Sequence, residues 1–491
     1  MNVSLSPTDK RRFFRSKWIR RLGMALAFLI TLFFLIHAVE NWRGSRAWSH
    51  TLDELAASGA ELDLVKLLPP PVPDEDNIAM HPAFRCFMFT QSDGTRTMRL
   101  AGDPVDKADA AMVAQWDLFR QWNGQQKSRY SAMVNLLKKK VEPHAGLSAE
   151  VAEFRGGLAQ HQLLLDGIRQ ALQRPSCRWP DIGSRHRITT VLQTSQDESP
   201  GFSIMLIANA WRYLSLGAAM DGDLETALQV AGGVGDLHRV NWGQGNLLTF
   251  LIASTILNAE VDTTENALML SPTHSANFLE VVEKLSQRPG AFSQYREVLI
   301  RDQVYGVAAA SAMMEPEYLE QLLSRYSLKH SLGQKAWQVI LPEGWEKQRF
   351  ASQMGLCSER IAAHDASLVP LERIARERAS IAAATQGFAP YRALVGNGEG
   401  DFAAGFLVRD IRRALTQIAL LAAETRSRSG RVPESLSDFP AALAGSIPPS
   451  PVDGAAPVIS RDSKGIWTVS YPGMDRLNSP SGEAAISIRS W

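Results

Sequence analysis

The run Leu22–Val39, LGMALAFLITLFFLIHAV, carries no formal charge. As a helix rising 1.5 Å per residue it extends about 27 Å, enough to cross the hydrocarbon of a bilayer. His37 sits near its end, where a neutral imidazole lies at the interface. Residues 1–21 carry seven of the chain's 52 Lys and Arg (Lys10, Arg11, Arg12, Arg15, Lys17, Arg20, Arg21) and a single acid, Asp9, whereas Glu40 follows the run. The positive-inside rule then places the leading end in the cytoplasm and everything after about residue 40 on the exported side. A cleaved signal peptide is the competing reading. The run is longer than a typical signal core, and HAVENWRGSRA offers no clean small-x-small cleavage site directly behind it, which favours an uncleaved anchor. KRRFFRSK matches a twin-arginine signal at Arg11, Arg12 and Phe14 and departs from it at Lys10 and Arg15; either route exports the body.

Beyond residue 21 there remain 45 basic and 50 acidic residues, a mildly acidic surface that argues against nucleic acid as a partner. With 45% hydrophobic and 21% charged residues over 491 positions, the exported part has ordinary globular composition and length for more than one core. Cys86, Cys177 and Cys357 allow one Cys86–Cys177 disulfide with Cys357 as a buried thiol, or three unpaired buried thiols. No CxxC spacing occurs, so zinc and thioredoxin-like chemistry have no foothold.

Behind the anchor, NWRGSRAWSHTLDELAASG continues as a polar, membrane-proximal helix with Gly59 as its stop. LLPPPVPDEDN is expected as a stiff polyproline II spacer laid against its own domain. FRCFMFTQSDGTRTMRL reads as a hairpin of Phe84–Thr90 and Thr95–Leu100 around Asp93-Gly94. From Asp103 to Arg428 apolar residues recur at helical spacing between Pro and Gly breaks, which predicts helical hairpins packed as a bundle or array. AMDGDLETAL (219–228) and AEVDTTENAL (259–268) echo each other at an offset of 40, as the turns of two similar hairpins would; two copies fall short of a solenoid.

The end of the chain predicts a helix over Phe406–Arg428 with one apolar stripe (Ile411, Ala414, Leu415, Ile418, Leu421) opposite Arg412, Arg413 and Thr416. Gly430 and Pro433 break it, and APVIS, GIWTVSY and AAISIRSW follow as short strands. The succession Gly430-Arg431-Val432-Pro433, Ser435-Leu436, Ile447-Pro448, Pro451-x-Asp453-Gly454 and Ser470-x-x-Gly473-x-Asp475 resembles the globular part of the major pseudopilins of type II secretion systems, over positions 406–491. The resemblance implies a helix packed on a small antiparallel sheet. It departs in two places. Arg409, Asp410, Arg412 and Arg413 replace the apolar stem that a filament needs, and LNSPSG after Asp475 lacks the further carboxylates that hold calcium in that family. LDLVKLLPPPVPDEDNIA, with a helical region and this ending behind it, also resembles single-span bacterial envelope proteins, which implies architecture and location but no activity.

The expected fold is therefore mainly α: a basic segment (1–21), a transmembrane helix (22–39), a membrane-proximal helix (40–66), a Pro-rich spacer and hairpin (67–102), a helical domain (103–405) and a small α+β pseudopilin-like module (406–491). No Walker loop, HExxH, GxSxG or metal-spaced His pair occurs, so no catalytic, cofactor-binding or metal residue is assigned and no cofactor is expected. AGGVGD (231–236) follows a helical run and reads as a loosened helix end, and His364-Asp365 as an exposed pair on different faces. Trp116, Trp122, Trp179, Trp211, Trp242 and Trp337 read as core, Lys138–Lys140 as a solvated helix end, and Glu372–Arg376 as a surface pair. The function these features suggest is a membrane-anchored structural or interaction scaffold of the envelope, whose partners are the bilayer, through residues 22–39, and an envelope protein. The alternatives are an enzyme or ligand binder whose site gathers His161, His238 or His364 with carboxylates, and an accessory pseudopilin.

Overall fold

A computed structural model of the chain describes residues 7–63, 66, 70–90, 96–98, 106–126, 145–179, 200–241, 247–271, 276–313, 343–385, 401–463, 466–472 and 485–488. It is mainly helical and divides into two compact units: Met1–Leu62 with Ala310–Leu356, and Asp63–Ala309 with Cys357–Trp491. The division does not follow the expected boundary at 405/406. Residues 406–491 belong to the same unit as most of the helical region.

In the first unit α1 runs unbroken over Pro7–Ala57, about 77 Å at 1.5 Å per residue. The anchor and the membrane-proximal helix are thus one element, which stops at Ala57 and not at residue 66. Gly59, at φ +78°, reverses the chain where a side chain would be strained, and the Gly59 and Ala60 amides donate to the Ala56 and Leu55 carbonyls. The apolar stretch of α1 buries nothing, and this is the one helix among the described residues long and apolar enough to cross a membrane. Helix α10 (Glu343–Ala363) meets α1 at its own start. Their backbones touch at Gly44 and Gly344: a Cβ on Gly44 would stand 2.1 Å from the Gly344 carbonyl oxygen. The Gly344 amide donates to Asn41 Oδ1 at 2.8 Å, and Trp48 meets Phe350 edge-on.

The second unit contains α2 (Ala110–Gln125), α3 (Ala145–Leu158), α4 (Gln162–Ala171), α5 (Pro200–Met220), α6 (Leu224–Asp236), α7 (Leu247–Leu270), α8 (Phe278–Gln287), most of α9 (Ala291–Met313), the end of α10, α11 (Pro370–Thr385) and α12 (Phe402–Ser429). Helices α5, α6 and α7 pack mutually and carry residues of two apolar clusters. One gathers Ile78, Phe84, Trp116, Phe119, Phe154 and Trp179 with α4 and α5. The other gathers Phe278, Tyr295 and Trp467 around α12. Trp116, Trp179 and Trp211 are core as expected and Trp122 is half-buried; Trp242, Trp337 and Lys138–Lys140 lie outside the described residues. The two echoed decapeptides do not share a fold: 219–228 makes the turn from α5 into α6, whereas 259–268 lies inside α7.

The segment after the prolines is knit into this unit as expected. Asn77 caps a short helical turn, Ile78 N donates to the Ser176 carbonyl, and Arg174 donates to the Asp74 and Asn77 carbonyls. The first strand of the hairpin starts later than expected. β1 (Met88–Thr90) pairs with β2 (Arg96–Met98), because Pro82–Arg85, with Pro at its start and His81 Nδ1 accepting from the Ala83 amide, closes a helical turn where the pattern starts a strand. Asp93-Gly94 lies outside the described residues. No disulfide joins the cysteines. Each sulfur lies at a main-chain carbonyl, Cys86 at Ala83, Cys177 at Val240 and Cys357 at Leu299.

Helix α12 starts at Phe402, ahead of the expected Phe406, where Asp401 caps it through the Ala404 amide, and ends at Gly430 in the left-handed region at φ +73°. β3 (Val458–Arg461), β4 (Trp467–Ser470) and β5 (Ala485–Ile488) form an antiparallel sheet in that order, with β4 and β5 against α12. Gly454, also at positive φ, closes the Asp453-Gly454 turn. Trp467 Nε1 donates to the Pro433 carbonyl and the Tyr471 hydroxyl to that of Pro448, tying the sheet to the segment leaving the helix.

Candidate functional site

The expected single apolar stripe on α12 is too narrow. Leu407, Thr416, Ala419, Leu420 and Ala422 are as fully buried as Ile411 and Ile418, so the helix is enclosed on several faces. The arginines opposite the stripe do not face water either. Arg412 bridges Asp262 (2.7 Å) and Glu265 (2.6 Å) of α7, and Thr416 Oγ1 donates to Glu265 Oε1. Arg413 donates to the Arg288 and Pro289 carbonyls. Asp410 accepts the Ala291 and Phe292 amides at 2.9 Å each, capping the start of α9 with a carboxylate where the helix dipole favours one. Burial pushes the Asp410 and Glu265 carboxyls up against the pull of these arginines.

Next to this belt, Arg288 grips Glu260 of α7 with two nitrogens, Asp236 at 2.7 Å and the Gly232 carbonyl. Glu260 is only 2% exposed, and burial raises its carboxyl to about 7 despite the Arg288 charge. One glycine of AGGVGD, Gly235, finds its reason here. The run is the end of α6, as expected, and the chain passes from Asp236 into a 3-10 turn over Leu237–Val240. A Cβ on Gly235 would stand 2.0 Å from the Glu260 carboxylate, so only glycine lets the ion pair close against the helix backbone. His238 donates from Nδ1 to the Gly235 carbonyl at 2.6 Å, and burial followed by the Arg288 charge lowers its imidazole to about 4.

A second cluster forms where α9, α10 and α11 meet. Glu377 accepts from the Tyr295 hydroxyl (2.8 Å), Arg360 Nε (2.9 Å) and His364 Nε2 (3.0 Å), and Arg360 also donates to the Tyr295 hydroxyl. All four side chains are buried. Burial pushes the Glu377 carboxyl up, but the His364 hydrogen bond and the Arg360 charge outweigh it and hold the group below its usual range. The expectation that His364 is exposed is therefore overturned, at 1% exposure, because two other helices, α9 with Phe292 and Tyr295 and α11 with Glu377, close over it. Asp365 does face solvent, on another side, and accepts the Ser367 amide.

The three histidines weighed as a site do not meet. His161 lies among Phe119 and Trp122 with an unpartnered Nδ1, His238 beside Gly235, and His364 on Glu377. Among the described residues no three His, Cys, Asp or Glu side chains converge at metal-binding spacing; Asp475 lies outside those residues. Chemically, each cluster consists of acids held by arginine, amide, hydroxyl or imidazole donors, which fixes helix register and leaves little acceptor capacity for a ligand. The i,i+4 spacing of Arg360 and His364 is the sequence signal for a shared face, while their common partner, Glu377, lies a helix away. Glu372 and Arg376 form the expected surface pair at 2.7 Å. Comparison with protein-family models, curated proteins and solved structures finds no match to this chain.

Proposed function

We propose that this chain is a membrane-anchored structural or protein-interaction scaffold of the bacterial envelope, with its basic leading segment in the cytoplasm and its body on the exported side of the inner membrane. The observation that carries the reading is α1. None of its apolar stretch is buried, which in water would cost about 25 cal/mol per Å² and in a bilayer costs nothing. Trp18 (70% exposed) and Trp42 (61% exposed) stand at its two ends, about 36 Å apart along the axis, where interfacial aromatics belong. The interior supports a structural role, since the converging ionisable groups there neutralise one another. The order of one long helix and a three-stranded antiparallel sheet supports a pilin-like ending built into the scaffold's own core, and the ion-paired start of α12 argues against a filament stem.

Cross-linking mass spectrometry of the tagged full chain in native membranes tests this. Expected are reproducible cross-links from exposed lysines of the second unit to one or more envelope proteins. Intrachain links alone, with the chain migrating as an isolated monomer, would remove the scaffold reading.

A further inference from the structure

The start of α10 is fixed to α1 at a definite depth. Gly344 touches the backbone of Glu40 and Asn41, and a Cβ there would stand 1.9 Å from the Glu40 carbonyl oxygen. Trp345 Nε1 and Gln348 Nε2 both donate to Glu40 Oε2, at 3.2 and 3.0 Å, and Lys347 Nζ reaches Ser45 Oγ at 3.3 Å. Glu40 is the first charge after the apolar run. Residues 40–44 span about 6 Å of helix axis, roughly the depth of one headgroup layer. Trp345 keeps 43% of its surface exposed, with its N–H satisfied and its ring free, the disposition of an interfacial indole. Within the segment the charges are balanced, Lys347 pairing with Glu343 and Arg349 with Glu346, while on α1 Arg43 pairs with Glu40 and Arg46 stacks on Trp42.

We infer that Glu343–Phe350 is a second membrane-contacting element, docked on the anchor through the Gly44–Gly344 crossing and seated by Trp345 in the phospholipid headgroup layer. This rests on the membrane reading above. Because its charges cancel within the segment, it takes a zwitterionic surface and has no need of anionic lipid. The anchor is thereby held by the chain twice, once covalently through Ala57 and once by a segment that returns to it from far along the sequence.

The test uses the full chain in phosphatidylcholine nanodiscs, with the photo-reactive p-benzoylphenylalanine placed singly at position 28 in mid-span, at 345, or at 163, an exposed leucine of the second unit. Expected are lipid adducts at 28 and 345 and none at 163. Gly344→Val, which drives a branched side chain into the Glu40 carbonyl, should lower the adduct at 345 several-fold and leave that at 28 unchanged. Adducts at 28 with none at 345, or a protein adduct at 345, would overturn the inference while leaving the anchor standing. No lipid adduct at 28 would overturn both.

Discussion

A chain ending at Asp401 should lose the cooperative unfolding of the whole second unit, and not only the stretch that was removed. Phe406, Leu407, Ile411, Leu415, Ile418, Leu420 and Leu421 are all at or below 1% exposure. At about 1.5–3 kcal/mol for each fully buried side chain, their burial contributes roughly 10–20 kcal/mol. That equals or exceeds the roughly 5–15 kcal/mol by which a domain is usually stable. The truncation also strips the acceptor from the capped start of α9 and leaves Asp262 and Glu265 without Arg412. Circular dichroism melts of the detergent-solubilised full chain and truncation provide the check. A milder variant, Leu415→Ala, should keep a single transition lowered by about 2–5 kcal/mol. A truncated chain that melts as sharply and as late as the full one would show that α12 and its sheet form a detachable module.

The second large effect is a pair of opposed pH dependences. Buried His238 stays neutral until about pH 4, whereas an unfolded histidine takes a proton near 6.5. Its contribution to stability is lost as pH falls through that window. Glu260 behaves in the opposite sense, since the folded chain keeps until about pH 7 a proton that an unfolded glutamate releases near 4.5, so stability is lost as pH rises. Each is worth about 3 kcal/mol at 1.36 kcal/mol per unit, and between about pH 4.5 and 6.5 the two cancel. Relative to His238→Gln, the native chain should gain stability as pH rises from 4 to 6.5. Relative to Glu260→Gln it should lose stability from 4.5 to 7. Denaturant unfolding across that range reads both differences, and flat differences would contradict the buried, opposed protonation of the pair.

The features legible in the sequence are those encoded locally. The charge-free run, the alternation of Trp467 to Ser470, the Gly430 stop and the Asp453-Gly454 turn each depend on a handful of adjacent residues, and all appear where the pattern places them. Burial of charge is not encoded in that way. Arg412 on a helix has the same appearance in sequence whether it meets water or Asp262 and Glu265 from a helix far earlier in the chain. His364 reads as exposed for the same reason, its partners Tyr295 and Glu377 being carried on other helices. Gly235 reads as a helix-breaker because the Glu260 carboxylate that requires it is carried on α7, the helix after its own. The division into two units is equally hidden, because residues 310–356 carry no marker of their association with the first helix.

The scaffold reading depends most on which side of the bilayer each part occupies. Protease added to spheroplasts that express the chain with an N-terminal epitope tests this in one gel. Expected is digestion of the body beyond the end of α1, with a protected fragment that keeps the epitope and resists carbonate extraction. An epitope digested as readily as the body, or a mature chain that begins after Val39 and appears in the soluble fraction, would contradict the account.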